Sequence, residues 1–420
     1  MFTMPELHPS LLPTHSHVPE WLRTLAASDG YFPAILRESE RDSVDGYRHT
    51  IREICQQPAT WPDTARRMVE CRSLVGESLN GCERIVLTGS GSSQYAGECV
   101  APALRKYLKI PVEVQGGGSL LLGRSASFAG EPTLVISLAR SGESPESVAV
   151  VERLLKTEPN TTHLILTCNP MGRLARQFAD NPRVRAISLS EDVHDRSLVM
   201  TSSFTNLALS ARFPGWVRRP DEFVAIASRL GLAAGRLLTA WPDRLRDFVS
   251  GDIRRMVFLG DGCQFGAARE CALKLLEMTG GKMATMAETY LGLRHGPMCF
   301  IDDRTLVICF LSVDRLIRAY ELDLIAELNA KKLGARKLVA GAQDPGAGVC
   351  SGSDLAIPLE VPGGDVEDAD LALLDVMIGQ ILGFHRCREE GLQPDSPSES
   401  GVISRVVGEF RIHPTQQQAQ

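Results

Sequence analysis

Apolar positions along the chain fall into two alternating patterns. Short β-branched or Leu-rich runs predict strands near residues 85–88, 133–138 and 163–167, and again near 256–260, 305–311 and 337–340. Between them lie longer stretches in which apolar residues recur three and four apart, the mark of helices with one buried face. Strands alternating with helices in this way predict an α/β fold, a mostly parallel sheet with helices on both faces.

The same pattern occurs twice. ERIVLTGSG, ending at Gly91, returns as RRMVFLGDG, ending at Gly262, and the two glycines lie 171 residues apart. TLVIS from Thr133 returns as TLVIC from Thr305, an offset of 172 residues. Two matches at nearly one offset predict a duplicated unit. The boundaries read as a leader over 1–43, a first domain over 44–213, a mostly helical connector over 214–250, a second domain over 251–390, and a Pro/Ser-rich tail over 391–420.

With 420 residues, 44% of them hydrophobic and 23% charged, the chain has the length and composition for at least two globular cores. A net charge of -6 offers no overall attraction to nucleic acid or to an anionic membrane. The first residues lack a signal-peptide pattern, and no uncharged apolar run reaches the roughly 18 residues needed to span a bilayer, so the expected location is cytoplasmic. The 11 cysteines contain no C-x-x-C spacing and read as buried reduced thiols, Cys299 and Cys309 among them. His15 and His17 form an H-x-H without further ligands at metal spacing, so no metal site is expected there.

Doubly wound sheets bind ligands at the carboxyl ends of their strands, which directs attention to the loops. TGSGSS, from Thr88 to Ser93, leaves a strand and opens a helix, so Ser92, Ser93 and the backbone amides suit an anion. A dinucleotide loop would have a third glycine where Gln94 stands, and no Walker pattern is present. ARSGESPES, from Ala139, carries Arg140, Ser141 and Ser144, a set suited to a phosphate monoester. Ser144 before Pro145 is equally a helix cap, and the residues alone leave both readings open. Thr201 and Ser202, after an apolar Leu-Val-Met, are a third polar stretch beside these loops.

In the second copy, RECALKLLEMT (269–279) is a helix stopped by Gly280-Gly281, with Glu270, Lys274 and Glu277 on one face. This is either a solvated charge stripe or a set of groups able to exchange protons. Arg294 and His295 follow beside a Gly-Pro turn.

Gly-Ser-Gly-Ser-Ser after one strand and Ser-Gly-Glu-Ser after the next resemble the sugar-isomerase (SIS) domain family, whose Ser/Thr-rich loops hold the substrate phosphate. The resemblance implies two tandem SIS domains. It assigns Ser92, Ser93, Arg140, Ser141, Ser144, Thr201, Ser202 and Arg294 to the substrate. In the isomerase half of glucosamine-6-phosphate synthase, a glutamine stands for Arg140 and a serine for Ala139. K-L-L-E followed by R-H-G-P resembles the family's catalytic segment, which makes Glu277 the base, His295 the ring-opening acid/base and Lys274 a pocket cation. The stretch between Glu277 and His295 is slightly longer here than in the synthase. Arg405 stands near the position of a tail lysine that acts in the synthase.

TIREICQQPATW, RSGESPES, LGLRHGP and PDSPSESGVISRVV resemble the AgaS-type branch, over a span from about Thr50 to the tail. That branch implies deamination and isomerisation of galactosamine 6-phosphate to a ketose phosphate and ammonia, without metal or nucleotide cofactor, in a homodimer with shared sites. Phe2 stands where the synthase has its cysteine nucleophile, so glutamine hydrolysis is not expected. Glucosamine-6-phosphate deaminase and fructosamine-6-phosphate deglycase remain as alternatives, and a non-enzymatic sugar-phosphate-sensing regulator as one of another class.

Overall fold

The computed structural model describes residues 17–41, 46–123, 128, 130–406, 408 and 411–413. His15, Phe2 and the rest of residues 1–16 therefore lie outside the described residues. The part of the leader that is described is not a loose tail. Its helices Val18–Ala27 and Tyr31–Arg41 bury Val18, Leu22, Phe32 and Leu36, and the Trp21 indole donates to the Cys55 carbonyl at 2.7 Å.

Ten strands form two five-stranded parallel sheets. The first contains β1 (Arg84–Gly89), β2 (Val112–Gly116), β3 (Thr133–Ala139), β4 (Thr161–Thr167) and β5 (Val184–Ser188), in the order β2-β1-β3-β4-β5. The second contains β6 (Arg255–Leu259), β7 (Ala284–Glu288), β8 (Thr305–Phe310), β9 (Arg336–Gly341) and β10 (Leu355–Pro358), in the order β10-β9-β8-β6-β7. Read from β7, that is the first sheet's order again, so the two units share one topology. Their central pairs also correspond: Arg84 to Thr88 of β1 register with Thr133 to Ser137 of β3, and Arg255 to Leu259 of β6 with Thr305 to Cys309 of β8. β3 and β8 are buried at every position, as strands covered on both faces must be.

In each sheet the chain's direction of progress reverses between the first strand and the third, β1 and β3 in one, β6 and β8 in the other. Loops diverge there and leave a crevice at the carboxyl ends. The connector forms helices Pro220–Ala240 and Pro242–Val249. The first is long and apolar enough to cross a membrane, a feature the search for uncharged runs passes over because Arg229 and Arg236 interrupt it. Half of its apolar window is buried inside the protein, with Phe223, Leu230 and Ala234 facing the core. Of the cysteines, Cys299 is exposed in the turn Pro297–Phe300, against the buried reading, whereas Cys309 is buried in β8.

The functional geometry depends on one helix, Cys263–Met278, which starts six residues earlier than the charge pattern suggests. It belongs to the second unit and lies against helix Ser92–Glu98 of the first. At their crossing is Gly266. A Cβ there would come 2.5 Å from the Cys99 amide nitrogen and 2.8 Å from the Glu98 carbonyl carbon, both rigid backbone. Arg269 donates to Glu98 at 2.5 Å beside the same contact and lies over the Tyr95 ring. Only a residue without a side chain permits this approach. Gly266→Ala is expected to force the helices apart and lower stability by about 1–3 kcal/mol, as overpacking does. Urea unfolding of both proteins measures it, and an unchanged midpoint would count against the close contact.

Candidate active site

A cavity of about 270 Å³ opens at the first sheet's crevice. Three hollows are larger. One, about 550 Å³, borders β5, a second, about 530 Å³, lies beside helix Arg48–Glu70, and a third, about 300 Å³, lies against helix Pro220–Ala240, but none is lined by the loops after β1 and β3. Three remote pieces of chain wall the small cavity. The first unit supplies Ser92, Ser93, Arg140, Ser141 and Ser144, the 263–278 helix supplies Lys274 and Glu277, and the tail supplies residues 403–406 with Arg405.

The first loop turns at Gly91, whose φ of 57° and ψ of -127° are open only to glycine at little cost. That turn starts the 92–98 helix and sets Ser92 and Ser93, its first two residues, in the cavity lining. After β3, the second loop is tied down from outside. The Asn169 amide donates to the Ser141 carbonyl at 2.9 Å, and the Leu174 amide to the Gly142 carbonyl at 2.9 Å. Its inward side is unsatisfied: the backbone amides of Ser141, Gly142 and Ser144 donate to no group among the described residues. Ser144 precedes helix Pro145–Thr157 but makes no side-chain cap bond, and its hydroxyl is buried without a partner. An orphaned buried hydroxyl costs about 1–3 kcal/mol, which an oxyanion bound at this helix N-terminus would recover. Capping therefore does not account for Ser144.

Opposite stands the charge triad of the 263–278 helix. Lys274 is 1% exposed and bonds Glu277, whose side chain retains 24% exposure toward the cavity. Glu270 lies 3.5 Å from the Lys274 ammonium on its other side and is fully buried. The triad is not a solvated stripe. Burial pushes the Glu270 carboxyl up to about 8 despite the neighbouring ammonium, and two flanking carboxylates raise Lys274 against its own burial. The arrangement offers anion donors at one end of the cavity and a carboxylate beside an ammonium, able to exchange a proton, at the other.

Other expected site residues are placed differently. Arg140 is buried, and its guanidinium donates to the carbonyls of Ser197 at 3.3 Å, Leu198 at 2.9 Å and Arg405. Arg405 in turn donates to the Asp195 carbonyl at 2.8 Å. Both arginines line the cavity, yet these bonds are structural and tie the tail to the 195–198 loop. Thr201 and Ser202 lie outside the lining. They are fully buried where helix Ser202–Arg212 begins, and the Ser202 hydroxyl accepts from Gln56 at 3.1 Å. Arg294 pairs with Glu327 at 2.7 Å on the surface of the second unit, and His295 beside it is exposed. Neither reaches this cavity.

Two important residues escaped the sequence reading. Glu53 accepts from the amides of Arg196 at 2.6 Å and Ser197 at 3.1 Å, and Asp195 accepts from the amides of Thr201 at 2.7 Å and Ser203 at 2.8 Å. Together they shape the loop whose carbonyls hold Arg140 and Arg405. Glu53 lies inside TIREICQQPATW, a segment singled out only as a whole; Asp195 stands in VHDRS with no signal of its own.

Comparison with known proteins agrees with this geometry. A family profile described as SIS domain matches residues 78–210. An AgaS protein of Streptomyces coelicolor is 38% identical over 381 residues, covering 88% of this chain and 96% of the relative. D-galactosamine-6-phosphate deaminase AgaS of Escherichia coli is 34% identical over 380 residues, covering 87% and 96%. The crystal structure of tagatose-6-phosphate ketose/aldose isomerase from Escherichia coli matches with a TM-score of 0.78 at 30% identity, covering 87% of this chain and 96% of that one. With relatives this similar over almost their whole length, the chain belongs to the AgaS family of SIS-domain proteins.

Proposed function

We propose that this enzyme deaminates and isomerises an amino-sugar 6-phosphate, with D-galactosamine 6-phosphate as substrate and tagatose 6-phosphate and ammonia as products. The observation that carries the reading is the pairing, in one cavity, of a serine-lined loop with unused amides and the Lys274–Glu277 pair. The deaminase activity for which the AgaS relative of Escherichia coli is named supports the same substrate.

The phosphate sits on Ser92, Ser93, Ser141 and Ser144, anchored by the amides of the 141–144 loop and by two helix N-termini. In the open-chain sugar, Glu277 takes the proton from C2 and returns it to C1, while the C1 carbonyl becomes a hydroxyl and the C2 amine becomes a ketimine. Lys274 steadies the negative charge that builds on oxygen between the two transfers. Water then adds at C2 and ammonia leaves, so one water is consumed for each ammonia released. Glu277→Gln keeps the shape and removes the basicity; kcat for ammonia release should fall by about 10²–10⁴-fold with substrate binding retained. Solvent-deuterium exchange at C2 should vanish with it. Retained exchange would place the base elsewhere.

Glu270 sets a second expectation. Its folded pKa, about 8, lies above the ordinary 4.5, so the folded protein keeps a proton that the unfolded chain releases. The resulting stabilisation is full below about pH 4.5 and is lost as pH rises through about 8. Glu270→Gln should flatten the fall in unfolding free energy across that window, measured by urea titration at several pH values. An identical slope in the variant would show that Glu270 is not the titrating group.

His295, exposed and remote from its own cavity, is read as the ring-opening group for the site of a second chain. Chains carrying Glu277→Gln and chains carrying His295→Ala should then complement each other. Random pairing makes about half the dimers mixed, each with one intact site, so roughly a quarter of wild-type activity is expected. Subunit exchange without recovered turnover would return both residues to one chain.

A further inference from the structure

The second unit repeats the phosphate loops in backbone form. Gly262, with φ 56° and ψ -121°, reproduces the turn of Gly91, with φ 57° and ψ -127°. β8 runs into Ser312-Val313-Asp314 and a helix, Arg315–Ala330, as β3 runs into its own serine loop and the 145–157 helix. The topology puts both loops at the same place, where the first and third strands of the sheet part.

What differs is the occupancy of the amides. In the first unit those of Ser141, Gly142 and Ser144 are free among the described residues. In the second unit, the Ser312 amide donates to Glu321 at 2.9 Å, and the Val313 amide and Ser312 hydroxyl both donate to Asp368 at 2.7 Å. Asp314 accepts from the amides of Leu316 at 2.9 Å and Ile317 at 3.1 Å. Each donor that would grip an anion is already gripping a carboxylate of the chain. Asp261, where the first unit has Ser90, adds a further acid.

We infer that the second unit holds a latent cradle for a phosphate monoester, kept closed by the carboxylates of Asp368 and Glu321, so that each chain takes one phosphate. Asp368 opens helix Asp368–Glu389, whose Gly379 meets Cys271 of the 263–278 helix, so the internal anion also anchors the helix that backs Lys274 and Glu277. The charged groups facing the cradle are Asp261, Asp314, Glu321, Asp368, Asp375 and Arg318. Burial holds Glu321 up to about 8 and pushes Asp261 and Asp375 above the ordinary carboxyl range. Removing Asp368 frees the Val313 amide and the Ser312 hydroxyl for an incoming phosphate.

The inference borrows its ligand from the phosphate role proposed for Ser141 and Ser144, so the test starts in a Ser141→Ala/Ser144→Ala parent. Inorganic phosphate is the probe, in equilibrium dialysis and in thermal melting. Adding Asp368→Ala should lower the melting temperature, phosphate but not chloride should restore most of the loss, and one more phosphate should bind per chain than in the parent. A folded triple variant with lowered melting that ignores phosphate overturns the inference. Should the triple variant not fold in plain buffer, refolding in phosphate is the same test: recovery supports the cradle and failure rejects it. If the parent itself still binds phosphate, the role of Ser141 and Ser144 fails instead, while the difference made by Asp368→Ala is still read separately.

Discussion

Everything at the site depends on two helices from different units lying closer than any side chain would allow. Gly266 lets the 263–278 helix rest on the backbone of residues 98 and 99, so the serine loops of one sheet face the acid/base triad carried by the other. Neither unit has the cavity alone. The first sheet has donors without a base; the second has a base without open donors. A duplicated fold in which both copies kept the same loops would offer no such division, and the carboxylates seated on Ser312 and Val313 are where the copies part.

The centre of the fold was readable from the sequence and its edges were not. All six strands predicted from apolar runs exist, within a residue or two of the expected ends. The four missed, β2, β5, β7 and β10, are the outer strands of the two sheets. Being covered on fewer sides, they are half-exposed at most positions in β2 and β7, and VEVQG or ATMAE carries no strong apolar signal. The physical rule that made β3 obvious, burial on both faces, is the rule that hid the edges.

At the site, the structure brings Ser92, Ser93, Ser141 and Ser144 into one cavity with Lys274 and Glu277, each singled out from its own local motif. The arginines carry a second use. Arg140 and Arg405 look like phosphate ligands in sequence, but a planar guanidinium is equally suited to gathering carbonyls from a turning loop, and both are used so here. The same turn needs Glu53 and Asp195 for its amides. A buried carboxylate that bonds backbone amides is determined by the tertiary path of the loop, which no local pattern encodes.

The tail gives the molecule a temporal asymmetry. Asp395 accepts from the amides of His49 at 3.1 Å and Thr50 at 2.7 Å, and the Leu198 amide donates to its carbonyl, so the end of the chain is threaded back onto its beginning before residues 403–406 reach the cavity. During synthesis both sheets, the catalytic helix and the serine loops leave the ribosome ahead of that segment. A nascent chain thus has the serine loops and the Lys274–Glu277 pair beside an unroofed cleft until residues 403–406 emerge to wall it.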